Sequence, residues 1–225
     1  MTVTLQDCQK ILGLAITGTP VTGPCRSEGW RARVEAFLGR ELPDAEAGAR
    51  TSGVQITWLR EAFGHCPEDA DLETVGYYCR AWILHLFGCV LFPDATGDCA
   101  SWMYIHCLTD WDQAGHYSWA SAVLSFLYRQ LCEACRRTSA SGSLGGCTYL
   151  LQLWMWSRLP VGRPQVLPRR EWFPDVGHRR RPTFAYLWDQ VSVPHVRTQR
   201  AYREYMNEID SLTASSVRAF MLHSS

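Results

Sequence analysis

The chain has 225 residues, 47% of them hydrophobic and 12% aromatic, enough apolar material for one sizeable core near the upper end of single-domain length. Charged residues make up 20% and the formal net charge is zero, so global charge gives no reason to expect nucleic-acid or membrane attraction. The balance is uneven: residues 1–157 carry 11 basic and 16 acidic side chains, and residues 158–225 carry 11 basic and 6 acidic.

Thr4-Leu5-Gln6-Asp7 has the spacing of a capping box, with Asp7 at the positive end of a short helix that Gly13 stops. Residues 15–22, AITGTPVT, are rich in β-branched residues around Gly18 and Pro20, which predicts a minor β-hairpin or extended loop and the one strand-like piece of consequence. From Ser27 the spacing turns helical, with Trp30, Val34, Phe37 and Leu38 on one face and Gly39 as the stop. A breaker-rich connection, ELPDAEAGARTSG, leads to a second helical unit from Val54 to Phe63.

In the centre, Tyr77, Ala81, Leu84, Gly88 and Leu91 make one stripe and Tyr78, Trp82 and Cys89 another. A helix apolar on both sides is expected to be surrounded. Ala81–Phe92 is far too short to span a bilayer, so it reads as a core helix. Ser118–Leu131 and Cys147–Trp156 repeat the pattern, and these three helices are expected to build the core. After Leu159, prolines at 160, 164, 168, 174 and 182 forbid a continuous helix. A last amphipathic helix, with Tyr202, Tyr205, Met206, Ile209 and Leu212 on one face, is expected to close the domain. The fold class is mainly α: a single irregular multi-helix globular domain with a minor hairpin near the N-terminus and a Pro/Arg-rich excursion before the last helix.

Four stretches, MTVTLQDCQKILGLAITGTPVTG, WLREAFGHCPEDADLETVGYYCRAWILHLFGCVLFPD, WDQAGHYSWASAVLSFLYRQLCEACR and GGCTYLLQLWMWSRLPVGRP, together resemble the plant mobile domain. This family is also labelled aminotransferase-like and occurs in MAIN-like proteins and in plant transposons. The resemblance covers residues 1–217 and leaves 218–225 as a divergent tail. Family members usually carry helical sequence ahead of the TVTLQD element, which implies truncation at the N-terminus. The resemblance further implies nuclear action in transposable-element silencing, genome integrity and meristem maintenance. Its implied partners are a phosphatase-seven-like protein and related plant mobile domain proteins, and it supplies no catalytic residues.

The aminotransferase-like label fails a chemical check. Pyridoxal phosphate needs a lysine for its Schiff base, and Lys10, the single lysine, stands on a short amphipathic helix without a glycine-rich phosphate cradle nearby. Neither enzyme activity nor a cofactor is expected. The ten cysteines are scattered, many within apolar runs, as buried free thiols are in a reducing compartment, and no secretory leader opens the sequence. The C-x-x-C of Cys132 and Cys135 falls inside a predicted helix with no second pair following, and His65-Cys66 and His106-Cys107 read as packing and surface residues rather than zinc ligands.

Two sets of residues have chemical potential. Asp110 and Asp112, with His116 close by, have the residue types for a divalent cation or acid/base work, and equally those of a capped helix start. Arg169, Arg170, Arg179, Arg180 and Arg181 bracket Trp172 and Phe173. Arginine interleaved with aromatics suits phosphates and bases of chromatin or DNA, an import signal or docking partner, or ion pairing with the acidic first part of the chain. The expected function is a non-catalytic nuclear interaction module, with a transposon-derived nucleic-acid-binding domain as the alternative; no membrane association is expected.

Overall fold

In the computed structural model, described over residues 2–23, 26–44, 53–138, 142–159, 161–168, 182–192, 198–213 and 215, the chain is mainly helical, as its periodicity predicts. In chain order the elements are α1 (Leu5–Leu12), α2 (Trp30–Leu38), β1 (Gly53–Gln55), α3 (Ile56–Ala62), α4 (Leu72–Leu86), a π-turn (Phe87–Leu91) and β2 (Cys99–Ser101). A 3₁₀ segment (Trp102–Leu108) follows, then α5 (Trp111–Ala114), α6 (Trp119–Arg136), α7 (Thr148–Arg158), β3 (Gln165–Val166), a second 3₁₀ segment (Phe184–Trp188), β4 (Val191–Ser192) and α8 (Thr198–Asp210). No helix among the described residues is long and apolar enough to cross a membrane. Internal contacts gather the chain into two compact units, residues 1–14 with 149–225, and residues 15–148.

In the first unit the expected capping box is present. Thr4 Oγ1 accepts from the Asp7 amide at 3.3 Å, and Asp7 Oδ2 accepts from the Thr4 amide at 2.9 Å. Gly13 ends α1 in the left-handed region at φ 72°. The Asp7 carboxylate, buried at 3% exposure, also accepts from Arg158 of α7 at 2.7 Å. This ion pair closes a sequence separation of 151 residues. α1 packs on the second 3₁₀ segment, whose Trp188 meets Trp156 of α7 with ring centroids 5.4 Å apart.

The last helix differs from its expected role. Tyr202, Tyr205, Met206 and Ile209 of α8 remain exposed, Tyr202 most of all at 69%. The helix is held instead by its end: the Gly162 amide donates to Glu208 at 2.7 Å, and the Tyr205 ring lies against Gly162, whose φ is 54°. Amphipathic spacing fixes which residues share a face, but not whether anything covers it.

In the second unit, Val34 and Leu38 of α2, Leu59 of α3, Ala81 and Leu84 of α4, Val54 of β1 and Ala100 of β2 form a continuous buried cluster, with Trp30, Phe37, Trp58, Phe63 and Trp102 packed around it. α2 and α3 are therefore core elements beside α4, whereas α7 belongs to the first unit. Only one of the two predicted stripes of α4 is buried: Ala81 and Leu84 are, with Gly88 and Leu91 beyond them, while Trp82 is 65% exposed. Hydrophobicity all round a helix is thus not sufficient to surround it.

Strand pairing also departs from the local reading. Residues 15–22 form an extended loop in which Thr19 bridges Tyr117 in parallel. The antiparallel pairs lie elsewhere, β1 with β2 (Val54 opposite Ala100) and β3 with β4 (Val166 opposite Val191). Each strand's partner is tens of residues away, and a two- or three-residue strand carries too little alternation to announce itself. Gly88 is what lets the π-turn sit on β2. A Cβ there would lie 2.7 Å from Ala100 Cβ and 2.9 Å from its Cα, closer than side chains pack.

Candidate functional site

The candidate site is a groove in the second unit, with a volume of about 320 Å³, at the small end of ligand pockets. Three local features build it. The first is the π-turn. An α-helix has 3.6 residues per turn, so residues five apart point to different sides. The wider turn, closed by Phe92 N–H donating to the Phe87 carbonyl at 2.7 Å, brings Phe87 and Phe92 edge to face at 5.3 Å. Such insertions in helices recur at functional sites.

The second feature is the 3₁₀ segment after β2, started by Ser101 accepting from the Met103 amide. It carries Tyr104 onto Phe92, stacked at 4.3 Å with the planes 20° apart. The third is α6, where Phe126, Arg129, Gln130 and Glu133 stand at i, i+3, i+4 and i+7 and so share one face. Phe126 meets Phe92 edge-on at 5.8 Å, and Phe87 and Phe92 continue into Trp119 at 5.0 and 6.5 Å. Phe92 is the buried floor, while Tyr104 and Phe126 are half-buried walls.

The rim is polar. Arg129 and Glu133 pair at 3.1 Å with side chains 77% and 42% exposed. Asp94 Oδ1 accepts from the amides of Thr96 and Gly97 and from the Thr96 hydroxyl at 2.7–3.0 Å, fixing the loop between the π-turn and β2. The loop over residues 142–147 is tied to the same edge, because the Gly146 amide donates to the Pro93 carbonyl at 2.8 Å. Cys99 of β2 lines the wall, and its thiol is pushed above the usual range by burial first, then by the negative charges of Asp94 and Asp98.

Asp110, Asp112 and His116 are not among the residues that line this groove. Asp110 caps α5 by accepting from the amides of Asp112 and Gln113 at 2.9 and 3.2 Å. The His116 ring Nδ1 lies 2.5 Å from the Asp112 carbonyl. Asp110 thus caps the start of α5, and His116, just past its end, contacts a backbone carbonyl one turn back. Among the described residues no group of three or more His, Cys, Asp and Glu side chains has the arrangement of a metal site. Cys132 and Cys135 are exposed on α6, and Cys107 lies 3.2 Å from the ring Nε2 of its neighbour His106. Lys10 is half-buried in the last turn of α1, favourable to the helix dipole. Arg169, Arg170, Trp172, Phe173, Arg179, Arg180 and Arg181 lie outside the described residues.

The groove itself was not foreseen. The face of α6 is visible as an i, i+3, i+4, i+7 pattern, but Phe92 and Tyr104 come from separate elements, and a π-turn has no sequence signature of its own. The result is an aromatic-floored groove on a helical support, rimmed by the Arg129–Glu133 ion pair and the Asp94-capped loop.

Comparisons with known proteins identify the family. Residues 1–219 match the plant mobile domain, and the chain belongs to this family. It is 33% identical over 218 residues to Protein MAIN-LIKE 1 of Arabidopsis thaliana, a match covering 96% of this chain and 40% of that protein. It is 32% identical to Protein MAINTENANCE OF MERISTEMS of the same plant, over 96% of this chain and 42% of the relative. A Serine/threonine-protein phosphatase 7 long form homolog of Arabidopsis thaliana is 38% identical over 164 residues, covering 73% of this chain and 12% of that protein. The chain thus spans less than half the length of these relatives. No solved structure matches it.

Proposed function

We propose that this chain is a non-catalytic interaction module acting in the nucleus, with the groove between the π-turn, the 3₁₀ segment and α6 as its docking surface. By likeness to the MAIN-like relatives, its role is in transposable-element silencing, genome integrity and meristem maintenance. The observation that carries the docking reading is the groove: three aromatic rings converge on a pocket held open by paired and capped polar groups, as binding sites with an apolar body and a few oriented polar atoms do. The use of Asp110 and His116 in backbone contacts favours a non-enzymatic role.

The partner proposed is a phosphatase-seven-like protein or another plant mobile domain protein. A phosphatase-named relative carries a segment similar to this chain, which supports a functional association between the two kinds of protein. The test is co-purification of the tagged chain from plant nuclei, beside a Phe126→Ala variant. Recovery of the phosphatase-seven-like protein by the parent and its loss in the folded variant supports the reading. A chain that stays out of the nucleus, or captures neither phosphatase nor related domain proteins, overturns it.

A further inference from the structure

The groove's chemistry is more specific than an apolar slot. Its walls are aromatic, with Tyr104 stacked on Phe92 and Phe126 meeting Phe92 edge to face, and aromatic rings attract cations through their quadrupole. Its rim holds two carboxylates, Asp94 and Glu133, against one guanidinium, Arg129. That guanidinium is already paired with Glu133 in an exposed contact, the kind that contributes little and exchanges readily.

The same unit shows repeatedly what such surfaces accept. Arg33 lies 5.6 Å from the centroid of the Trp102 ring, Arg40 lies 4.9 Å from that of Phe63, and Arg80 lies 5.2 Å from that of Trp111. In each case a planar guanidinium, weakly hydrated and able to lie flat on a ring, covers an aromatic surface. Tyr104 and Phe126 line the groove's volume.

We infer that the groove receives an arginine side chain from a basic segment of a partner protein, its guanidinium against Tyr104 and Phe126 and bonded to Glu133 and Asp94. The inference rests on the docking reading above and sharpens it. A phosphate-bearing partner would meet these carboxylates unfavourably, so nucleic acid is the disfavoured occupant.

The test uses the intact chain and a fluorescein-labelled basic peptide whose only cations are arginines, compared by anisotropy with the same peptide carrying citrulline in their place. Citrulline keeps the shape and removes the charge. Expected are weakening by about ten-fold or more with citrulline, by about three- to ten-fold in each of Asp94→Asn and Glu133→Gln, and a similar loss in Phe126→Leu. The carboxamide variants are at the surface and keep the fold, which circular dichroism checks. Equal binding of the citrulline peptide, undiminished binding by the Asp94→Asn/Glu133→Gln double variant, or no binding of the arginine peptide overturns the inference. A citrulline or norleucine peptide that binds as well as the arginine one but is lost in Phe126→Leu leaves docking standing and removes the cation. Displacement of the peptide by duplex DNA that binds both carboxamide variants equally well overturns the choice of occupant.

Discussion

Replacing Asp7 with alanine removes two interactions at once. The carboxylate is the N3 half of the capping box of α1, accepting from the Thr4 amide, and losing that hydrogen bond costs about 1 kcal/mol. It also neutralises Arg158 at 2.7 Å, with the Asp7 side chain 4% and the Arg158 side chain 25% exposed. Stripping one member from a buried pair costs about 3–5 kcal/mol, and the partial exposure of Arg158 reduces that to roughly half. The expected loss is about 2–4 kcal/mol, which at roughly 2 kcal/mol per molar urea lowers the unfolding midpoint by about 1–2 M. A double-mutant cycle with Arg158→Met isolates the pair, for which coupling of about 1–2 kcal/mol is expected. The same pair sets an acid limb. Burial raises the Asp7 carboxyl, but hydrogen bonds from Arg158 and Thr4 outweigh it and hold the group below its ordinary value. A depressed carboxyl contributes stability that is fully present above the unfolded-state value near 4 and is lost as pH falls through the lower folded value. Asp7→Asn therefore flattens stability against pH below about 4. A midpoint shift under about 0.3 M urea together with an unchanged acid limb refutes the assignment.

Gly88→Val drives a branched side chain into Ala100 and should destabilise the chain by about 1–3 kcal/mol in urea unfolding, while Gly76→Ala, 3.6 Å from its nearest neighbour, should be neutral or mildly stabilising. Gly162→Ala, at φ 54° under the Tyr205 ring, should speed hydrogen exchange in α8 more than elsewhere. Cys99 should react slowly with iodoacetamide at neutral pH and faster as pH rises, because burial and then Asp94 and Asp98 hold its thiol protonated. Asp94→Asn should move that profile to lower pH, and an unmoved profile removes Asp94 from the groove's field.

What sequence could reveal was what is local. Thr4 and Asp7 announce a cap, Gly13 and Gly39 announce helix ends, and all four act as expected because capping involves only neighbours in the chain. The α6 face is legible for the same reason, and the family resemblance agrees with the match over residues 1–219. What stayed hidden was non-local. Val54 looked helical beside Trp58 and Leu59, yet it is the strand partner of Ala100, 46 residues on. Trp82 looked as buried as Leu84, yet only one face of α4 is covered. The groove depends on a π-turn, a 3₁₀ segment and α6 meeting, and no periodicity in one element contains that meeting. Asp110 and His116 were readable as chemistry or as capping, and only the geometry shows which backbone groups they engage.

Titrating the purified chain with a purified phosphatase-seven-like protein, in parallel with duplex DNA and across a range of salt, is the most direct test of the interaction-module reading. The account predicts saturable capture of the protein partner that is weakened by Phe126→Leu, with DNA binding weak or absent. Tight DNA binding that falls steeply with salt, without partner capture, contradicts it and makes the chain a nucleic-acid-binding domain.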